Sequence, residues 1–256
     1  MKTVFKILLV ISFLNTSVSA YKYTTIKYAA KLIKSSKALS PKQIKKYAKL
    51  LDELHGTKKV GKSLGKLKLP NEVLEDTFMR LAIYKKKIGR KEAEELLLHL
   101  KGTKGFRTTL RKVIGNSTKK TTGHLHELRL SNAASKNNFK VISIGEKFSD
   151  GIKTKPSDID VLIKGKKNIF AIEAKSYLPT TNMKPAMIRA DMKTLSNYAT
   201  QNRSKKIIPI FSITNKPASK ITQKVLKAEA KKNGVELIYG NPQQQIEQIK
   251  ILEKIL

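Results

Sequence analysis

Three acidic side chains and one lysine lie in two neighbouring apolar segments of the sequence. Asp158 and Asp160 belong to SDIDVLIK, and Glu173 and Lys175 belong to NIFAIEAKSY. Charged groups are costly in buried strands unless they are paired or bind a metal ion. Two converging carboxylates would form an oxygen-rich site suited to Mg²⁺ or Mn²⁺. Because such an ion polarises a phosphoryl oxygen and acidifies a bound water, these residue types point to hydrolysis of a phosphodiester.

The spacing of these residues places them on shared faces of two strands. Alternate residues of a strand point to the same side, so Asp158 and Asp160 share one face, and Glu173 and Lys175 share a face of the next strand. If the strands pair through the turn at GKK, Asp160 and Glu173 converge, and the backbone carbonyl of Ala174 supplies a further metal ligand. We expect nearby cations and partial burial to lower the pKa of Lys175, so that it positions or deprotonates a water.

Two regions of different pattern surround this site. Residues 21–115 show only helical signals, such as Ser40 as N-cap, Pro41 as first residue and Gly56 as the end of one helix. From residue 116 onward the predicted order is αβββαβαβα, which indicates an α/β fold with a mixed sheet flanked by helices. We therefore predict a basic helical domain over 21–115 and an α/β domain over 116–256.

The spacing Asp160, twelve intervening residues, then Glu173-Ala174-Lys175 resembles the motif of the PD-(D/E)xK nuclease superfamily. These restriction-endonuclease-like enzymes include Holliday-junction-resolvase-like nucleases and secreted bacterial nuclease toxins. Their core is an αβββαβ unit, and residues 121–213 follow that order. The resemblance implies that Asp160 and Glu173 are metal ligands and that Lys175 is the catalytic lysine.

The resemblance extends to the two helices of the core. Family members often carry a glutamate on the first helix, and Glu127 in GHLHELRL occupies that place as a catalytic or metal-binding residue. It lies on a stripe with Leu130 and Ala134 that we expect to face inward. The second helix often carries Gln or Lys, a role that falls here to Lys193 or Asn197.

The sequence departs from the family pattern before the first acid. In PSDID the proline is displaced, so Asp158 and Asp160 both remain candidates for the first ligand, and the spacing favours Asp160. We predict that four basic residues contact nucleic acid: Lys193, Arg107, Arg111 and Lys112.

The composition narrows the class of function. The 256 residues carry a formal net charge of +34, which would attract a polyanion such as DNA or RNA. Of the 53 basic residues 46 are lysine, a bias that AT-rich codons would also produce. The chain has no cysteine, and its histidines are too few and too poorly spaced for a zinc enzyme: His55, His99, His124 and His126.

The first twenty residues have the pattern of a secretory signal peptide. Two lysines precede ILLVISFL, and small residues at Val18 and Ala20 predict cleavage after Ala20. The apolar stretch is too short for a membrane anchor, so we expect no membrane span in the mature, secreted or periplasmic chain.

These observations predict an exported, Mg²⁺- or Mn²⁺-dependent endonuclease whose preferred substrate is DNA. It would serve as a secreted toxin or effector, and its partner in the producing cell would be an immunity protein. Two alternatives remain open. One is a toxin of the same fold that cleaves RNA or tRNA, and the other is a non-enzymatic, cationic nucleic-acid-binding protein.

Overall fold

The protein divides into two compact units, Met1–Lys58 and Lys59–Leu256. The computed structural model describes residues 30–31, 33–34, 39–53, 69–115, 118–150 and 154–256. The predicted signal peptide over residues 1–20 and the predicted helix end at Gly56 lie outside the described residues. Among the residues that are described, no helix has both the length and the apolar character needed to cross a membrane.

Eight α-helices and five strands have both of their ends within the described residues. The helices are α1 (Pro41–Glu53), α2 (Asn71–Tyr84), α3 (Arg90–Leu100), α4 (Phe106–Gly115), α5 (Thr118–Lys136), α6 (Pro185–Gln201), α7 (Lys220–Asn233) and α8 (Pro242–Ile255). The strands are β1 (Lys140–Phe148), β2 (Ser157–Lys164), β3 (Ile169–Lys175), β4 (Ile207–Ile213) and β5 (Glu236–Tyr239). From α5 onward the order is αβββαβαβα, so the predicted order is confirmed.

Helix α1 of the first unit begins as the sequence predicts. The hydroxyl of Ser40 accepts a hydrogen bond from the backbone N–H of Gln43 at 3.3 Å. The side chain of Gln43 in turn accepts one from the backbone N–H of Ser40 at 2.9 Å. This reciprocal pair is a capping box, which satisfies two donors that the first turn of a helix leaves unpaired.

The five strands form one mixed sheet in the order β1-β2-β3-β4-β5. Strands β1, β2 and β3 are antiparallel neighbours, whereas β3, β4 and β5 are parallel and are connected through α6 and α7. A tight turn joins β2 to β3, where the N–H of Gly165 donates to the carbonyl of Asn168 at 2.9 Å. The register set by this turn places Val161 opposite Ile172.

Each face of the sheet is covered by a layer of helices. On one face, α5 and α8 bury Leu130 and Ile246 against strand residues that include Ile172. On the other face, α6 and α7 bury Leu195 and Leu226 with residues of β2, β3 and β4. The predicted mixed sheet flanked by helices is therefore confirmed.

The three helices before the sheet belong to the same compact unit as the sheet. Helix α4 contacts α2, α5 and β1, and α3 contacts α5. Gly105, with φ +87°, lies so close to β1 that a Cβ atom there would be 1.8 Å from the carbonyl oxygen of Ile144. The predicted domain boundary between residues 115 and 116 thus falls inside the second unit, between two helices that contact each other.

Candidate active site

Asp160 and Glu173 lie where the pairing of β2 with β3 ends. The last pair of the ladder is Val161 with Ile172, so Asp160 and Glu173 occupy the next position on each strand. The backbone N–H of Ala174 donates to a carboxylate oxygen of Asp160 at 2.9 Å instead of pairing with the backbone of β2. Asp160 is partly buried, and the Glu173 side chain is only 12% exposed. The predicted turn therefore brings the two carboxylates together.

Lys175 places its ammonium group between two carboxylates. It pairs with Glu173 on its own strand and with Asp191 of α6, whose Oδ2 lies 2.8 Å from the lysine Nζ. The ammonium also lies 6.0 Å from the centre of the Phe211 ring. Because the Lys175 side chain is only 17% exposed, these contacts hold a mostly buried charge.

The pKa of Lys175 moves in the opposite direction from the one we predicted. Burial alone would lower the pKa, but Glu173 and Asp191 outweigh burial and raise it above the ordinary value of 10.5. The prediction of a lowered pKa was wrong because two carboxylates, not cations, flank this lysine. Lys175 is therefore an ammonium ion at neutral pH, able to donate hydrogen bonds but not to accept a proton.

The carboxylates next to Lys175 hold protons more tightly than ordinary carboxyl groups. Burial is the main reason that the pKa of Asp160 lies well above 3.8, and the charges of Glu173 and Glu127 raise it further. Burial also raises the pKa of Glu173, to about 7, against the opposing effect of Lys175 and with a further contribution from Asp191. Burial thus favours the neutral form of both carboxyl groups in the metal-free site, and a cation bound there would favour their charged form.

Glu127 approaches the same site from helix α5. Its side chain is 8% exposed, and Oε1 lies 2.7 Å from Nδ1 of His124. Leu130 and Ala134 of the same stripe are fully buried, so the expectation that this side of the helix faces inward is confirmed. The charge of Glu127 contributes to the raised pKa of Asp160, which places the two carboxylates within electrostatic range.

Asp158, the other candidate for the first ligand, has a different environment. Its carboxylate forms an ion pair with Lys147 of β1 at 2.9 Å, and its side chain is 40% exposed. It is close enough to raise the pKa of Glu173, but Asp160 is the residue that receives the hydrogen bond from Ala174. The structure therefore pairs Asp160, rather than Asp158, with the Glu173-Ala174-Lys175 segment.

Helix α6 contributes a residue that sequence reasoning missed. Lys193 is exposed and Asn197 is partly buried, whereas Asp191 contacts Lys175 directly. A signal for Asp191 exists in the sequence. It follows the buried residue Ile188 by three positions and precedes Leu195 by four, so it lies on the inward stripe of an amphipathic helix.

The other predicted contacts with nucleic acid lie on helix α4. Arg107, Arg111 and Lys112 are partly buried, and the guanidinium group of Arg107 donates to the side chain of Asn71 on α2. In the described part of the chain, no hydrogen bond or ion pair links these three residues to the carboxylates around Lys175. Their helix lies against β1, the edge strand, two strands away from β3.

The donor chemistry of Asp160 and Glu173 fits a divalent cation with an incomplete protein shell. Within the described residues, no group of three or more His, Asp or Glu side chains is arranged to hold a metal ion. Mg²⁺ commonly takes only one or two carboxylates from a protein and completes its shell with waters and substrate phosphates. Asp160 and Glu173 therefore supply the number of carboxylates that Mg²⁺ commonly takes from a protein. The backbone carbonyl of Ala174 stays a predicted further ligand.

The chain was compared with protein-family models and with curated proteins. No protein-family model matches the chain, and no curated protein has significant similarity to it. The charge distribution and the geometry around Lys175 are therefore the observations from which a function can be inferred.

Proposed function

We propose that the chain is an exported endonuclease of the restriction-endonuclease-like fold that depends on Mg²⁺ or Mn²⁺ and acts preferentially on DNA. The observation that carries this proposal is the placement of Asp160 and Glu173 side by side at the end of the β2–β3 ladder, with Lys175 in contact with Glu173. The order of helix, three strands, helix and strand from α5 to β4 agrees with the core of that superfamily and supports the proposed fold.

The electrostatics of the site support a missing cation. Asp160, Glu173, Asp191 and Glu127 interact with one another or with Lys175, so carboxylates outnumber ammonium groups there. Elsewhere the protein has a large excess of positive charge, with a net charge of +34. If the carboxylates served stability alone, a second lysine at the site would be enough to compensate their charge. A divalent cation supplies the same compensation and also carries chemistry.

Each side chain would have a distinct task in phosphodiester hydrolysis. Asp160 and Glu173 would hold the cation, which when bound polarises a phosphoryl oxygen and acidifies a water. Lys175 would donate a hydrogen bond to a phosphate oxygen from the ammonium group that Asp191 holds at the site. Glu127, held by His124, would add negative charge on the α5 side of Asp160.

The surface charge supports nucleic acid as the substrate. Lysine and arginine residues that neutralise phosphates give binding that weakens steeply with salt. Lys193 on α6 and the basic residues Arg107, Arg111 and Lys112 on α4 are the proposed contacts. The signal-peptide pattern supports export of the protein. We therefore include in the proposal that it acts as a toxin or effector and that the producing cell makes an immunity protein against it.

A non-enzymatic nucleic-acid-binding protein is the second candidate, and the net charge of +34 favours it as strongly as it favours a nuclease. It gives no reason for carboxylates at the end of β2 and β3. Cleavage assays with and without a chelator separate the two functions, because binding driven by charge persists in EDTA whereas metal-dependent cutting stops.

The test uses purified protein with supercoiled plasmid, linear duplex DNA and total RNA, in Mg²⁺, in Mn²⁺ and in EDTA. We expect cutting in either metal and none in EDTA, and Lys175→Ala should slow cutting by about 10²-fold or more, the usual cost of losing one donor to developing charge. Lys136→Ala is a matched control, because Lys136 also pairs with a carboxylate, that of Glu95, at 3.2 Å. Salt-sensitive binding without cutting of any substrate in either metal would establish the binding protein instead, and RNA cut in preference to DNA would reassign the substrate.

A further inference from the structure

We propose that Asp191 is a positioning residue that, through Lys175, sets the affinity of Asp160 and Glu173 for a divalent cation. This inference rests on the proposed function, because it concerns the same site. It adds a residue of helix α6 that neither the motif nor its spacing includes.

Packing fixes the position of Asp191 relative to the strand. Helix α6 is anchored on the sheet by Ile188, Met192 and Leu195, each no more than 1% exposed. Asp191 lies beside Met192 on this buried side and reaches Lys175 Nζ with its Oδ2 at 2.8 Å. The helix therefore holds a second carboxylate next to the lysine, which also contacts Glu173.

The two carboxylates share one ammonium group, which contacts both at the same time. When Lys175 pairs with Glu173, it compensates the charge that a metal ion would otherwise compensate, so it opposes metal binding. If the ammonium moved away from Glu173, Asp191 would remain as its partner, and Glu173 would be free to act as a ligand. Asp191 should therefore favour metal binding, although it is not itself a ligand. Its charge also acts on Glu173 directly, so the positioning role is the part of its effect that depends on Lys175.

This dependence on Lys175 distinguishes positioning from a simple effect of charge. Removing any nearby negative charge weakens the binding of a cation, and removing a nearby positive charge strengthens it. Residues that act through each other show non-additive effects, whereas independent residues show additive ones. If Asp191 bound the metal directly, its loss would also weaken binding when Lys175 is absent.

The experiment is a double-mutant cycle of Mn²⁺ binding, measured by calorimetry on the full protein without nucleic acid. The variants are Asp191→Asn, Lys175→Met and the double variant, with Lys175→Gln as a second choice if Lys175→Met does not fold. We expect Asp191→Asn alone to weaken Mn²⁺ binding by roughly threefold or more, the low end of coupling between residues in contact. Lys175→Met should tighten binding. Adding Asp191→Asn to it should weaken binding clearly less than Asp191→Asn does alone, and no more than Asp158→Asn does in the same background.

Asp158→Asn is the matched control for charge. It removes a carboxylate that also acts on Glu173 but pairs with Lys147 instead of Lys175. Its effect on Mn²⁺ affinity should be the same with and without Lys175→Met.

The outcomes separate this inference from the proposed function. Equal weakening by Asp191→Asn in both backgrounds would overturn the positioning role and leave the metal site in place. No Mn²⁺ binding by the wild type or by the Lys175→Met variant would overturn both. Non-additive binding in a protein that cuts no nucleic acid would support the positioning role and refute the nuclease.

Discussion

Replacing Glu173 by glutamine should change the way in which the stability of the metal-free protein depends on pH. Burial, opposed by Lys175 and reinforced by Asp191, raises the pKa of Glu173 from 4.5 to about 7 in the folded protein. A carboxyl group whose folded pKa is raised binds more protons in the folded state than in the unfolded state. Its contribution to stability is fully present below pH 4.5 and is lost as the pH rises through 7.

The size of this effect follows from the two pKa values. Each pH unit of separation corresponds to about 1.36 kcal/mol, so the separation between 4.5 and about 7 gives roughly 3 kcal/mol in total. Between pH 5 and pH 8 the lost part is roughly 2 to 3 kcal/mol. The Glu173→Gln variant lacks this titration, so its free energy of unfolding relative to the wild type should rise by that amount over the same interval.

Urea unfolding in EDTA at pH 5, 6, 7 and 8, followed by circular dichroism, measures this difference. Comparing the two proteins cancels titrations that they share. Glu247→Gln is the control, because Glu247 is half-exposed and pairs with Lys250 on the surface. Parallel stability curves for the wild type and Glu173→Gln would refute the conclusion that burial raises the pKa of Glu173 in the folded protein. Saturating Mn²⁺ should stabilise the wild type more at pH 8 than at pH 5.

Three further predictions concern the second unit. His126 is buried, its pKa is lowered to about 4, and its Nε2 has no hydrogen-bond partner among the described residues. The wild type therefore loses stability as the pH falls from 6.5 towards 4. In urea unfolding, the free energy of unfolding of His126→Phe relative to the wild type should be roughly 2 kcal/mol higher at pH 5 than at pH 8. A fragment over 116–256 should fail to fold because α5 would lose its contacts with α3 and α4, whereas 59–256 should give a cooperative transition. Asp160→Asn should abolish the heat of Mn²⁺ binding and raise metal-free stability at pH 8, and Asp158→Asn should do neither.

The strands around the site could be predicted from the sequence because their signals are local. SDIDVLIK coincides with β2, and the polar residues after it fix a turn that sets the register of β3. Once the register is known, the meeting of Asp160 and Glu173 follows from the alternation of side chains. The burial of Glu127 likewise follows from the helical spacing of Leu130 and Ala134.

The partner of Lys175 could not be predicted in this way. Whether Asp191 reaches Lys175 depends on how far α6 lies along β3, which is set by the packing of Ile188, Met192 and Leu195 on the sheet. The inward stripe makes Asp191 a candidate, but no local pattern gives its distance from another element. The direction of the Lys175 pKa shift depends on that contact, so it was predicted with the wrong sign.

The extent of the folded unit also depends on contacts rather than on pattern. The change from helical to alternating signals near residue 116 suggested a boundary, but α3 and α4 contact α5 across it. The loop before α4 adds to this contact, since the backbone N–H of Ile144 in β1 donates to the carbonyl of Lys104 at 2.9 Å. A change of secondary structure therefore does not mark the end of a core that both types of element share.

The pairing of acidic residues across the described structure shows why the carboxylates around Lys175 need an explanation beyond stability. Several acidic residues elsewhere each have a cationic partner of their own: Asp76 with Arg80, Glu95 with Lys136, Glu146 with Lys104, Asp158 with Lys147 and Glu247 with Lys250. At the end of β2 and β3, Glu173 and Asp191 share one lysine, and the Asp160 carboxylate receives a backbone N–H. Buried charges of this kind are often less stabilising than apolar residues of similar size. In a chain with 46 lysines, several carboxylates that gather around one ammonium group are what a site for an additional cation requires.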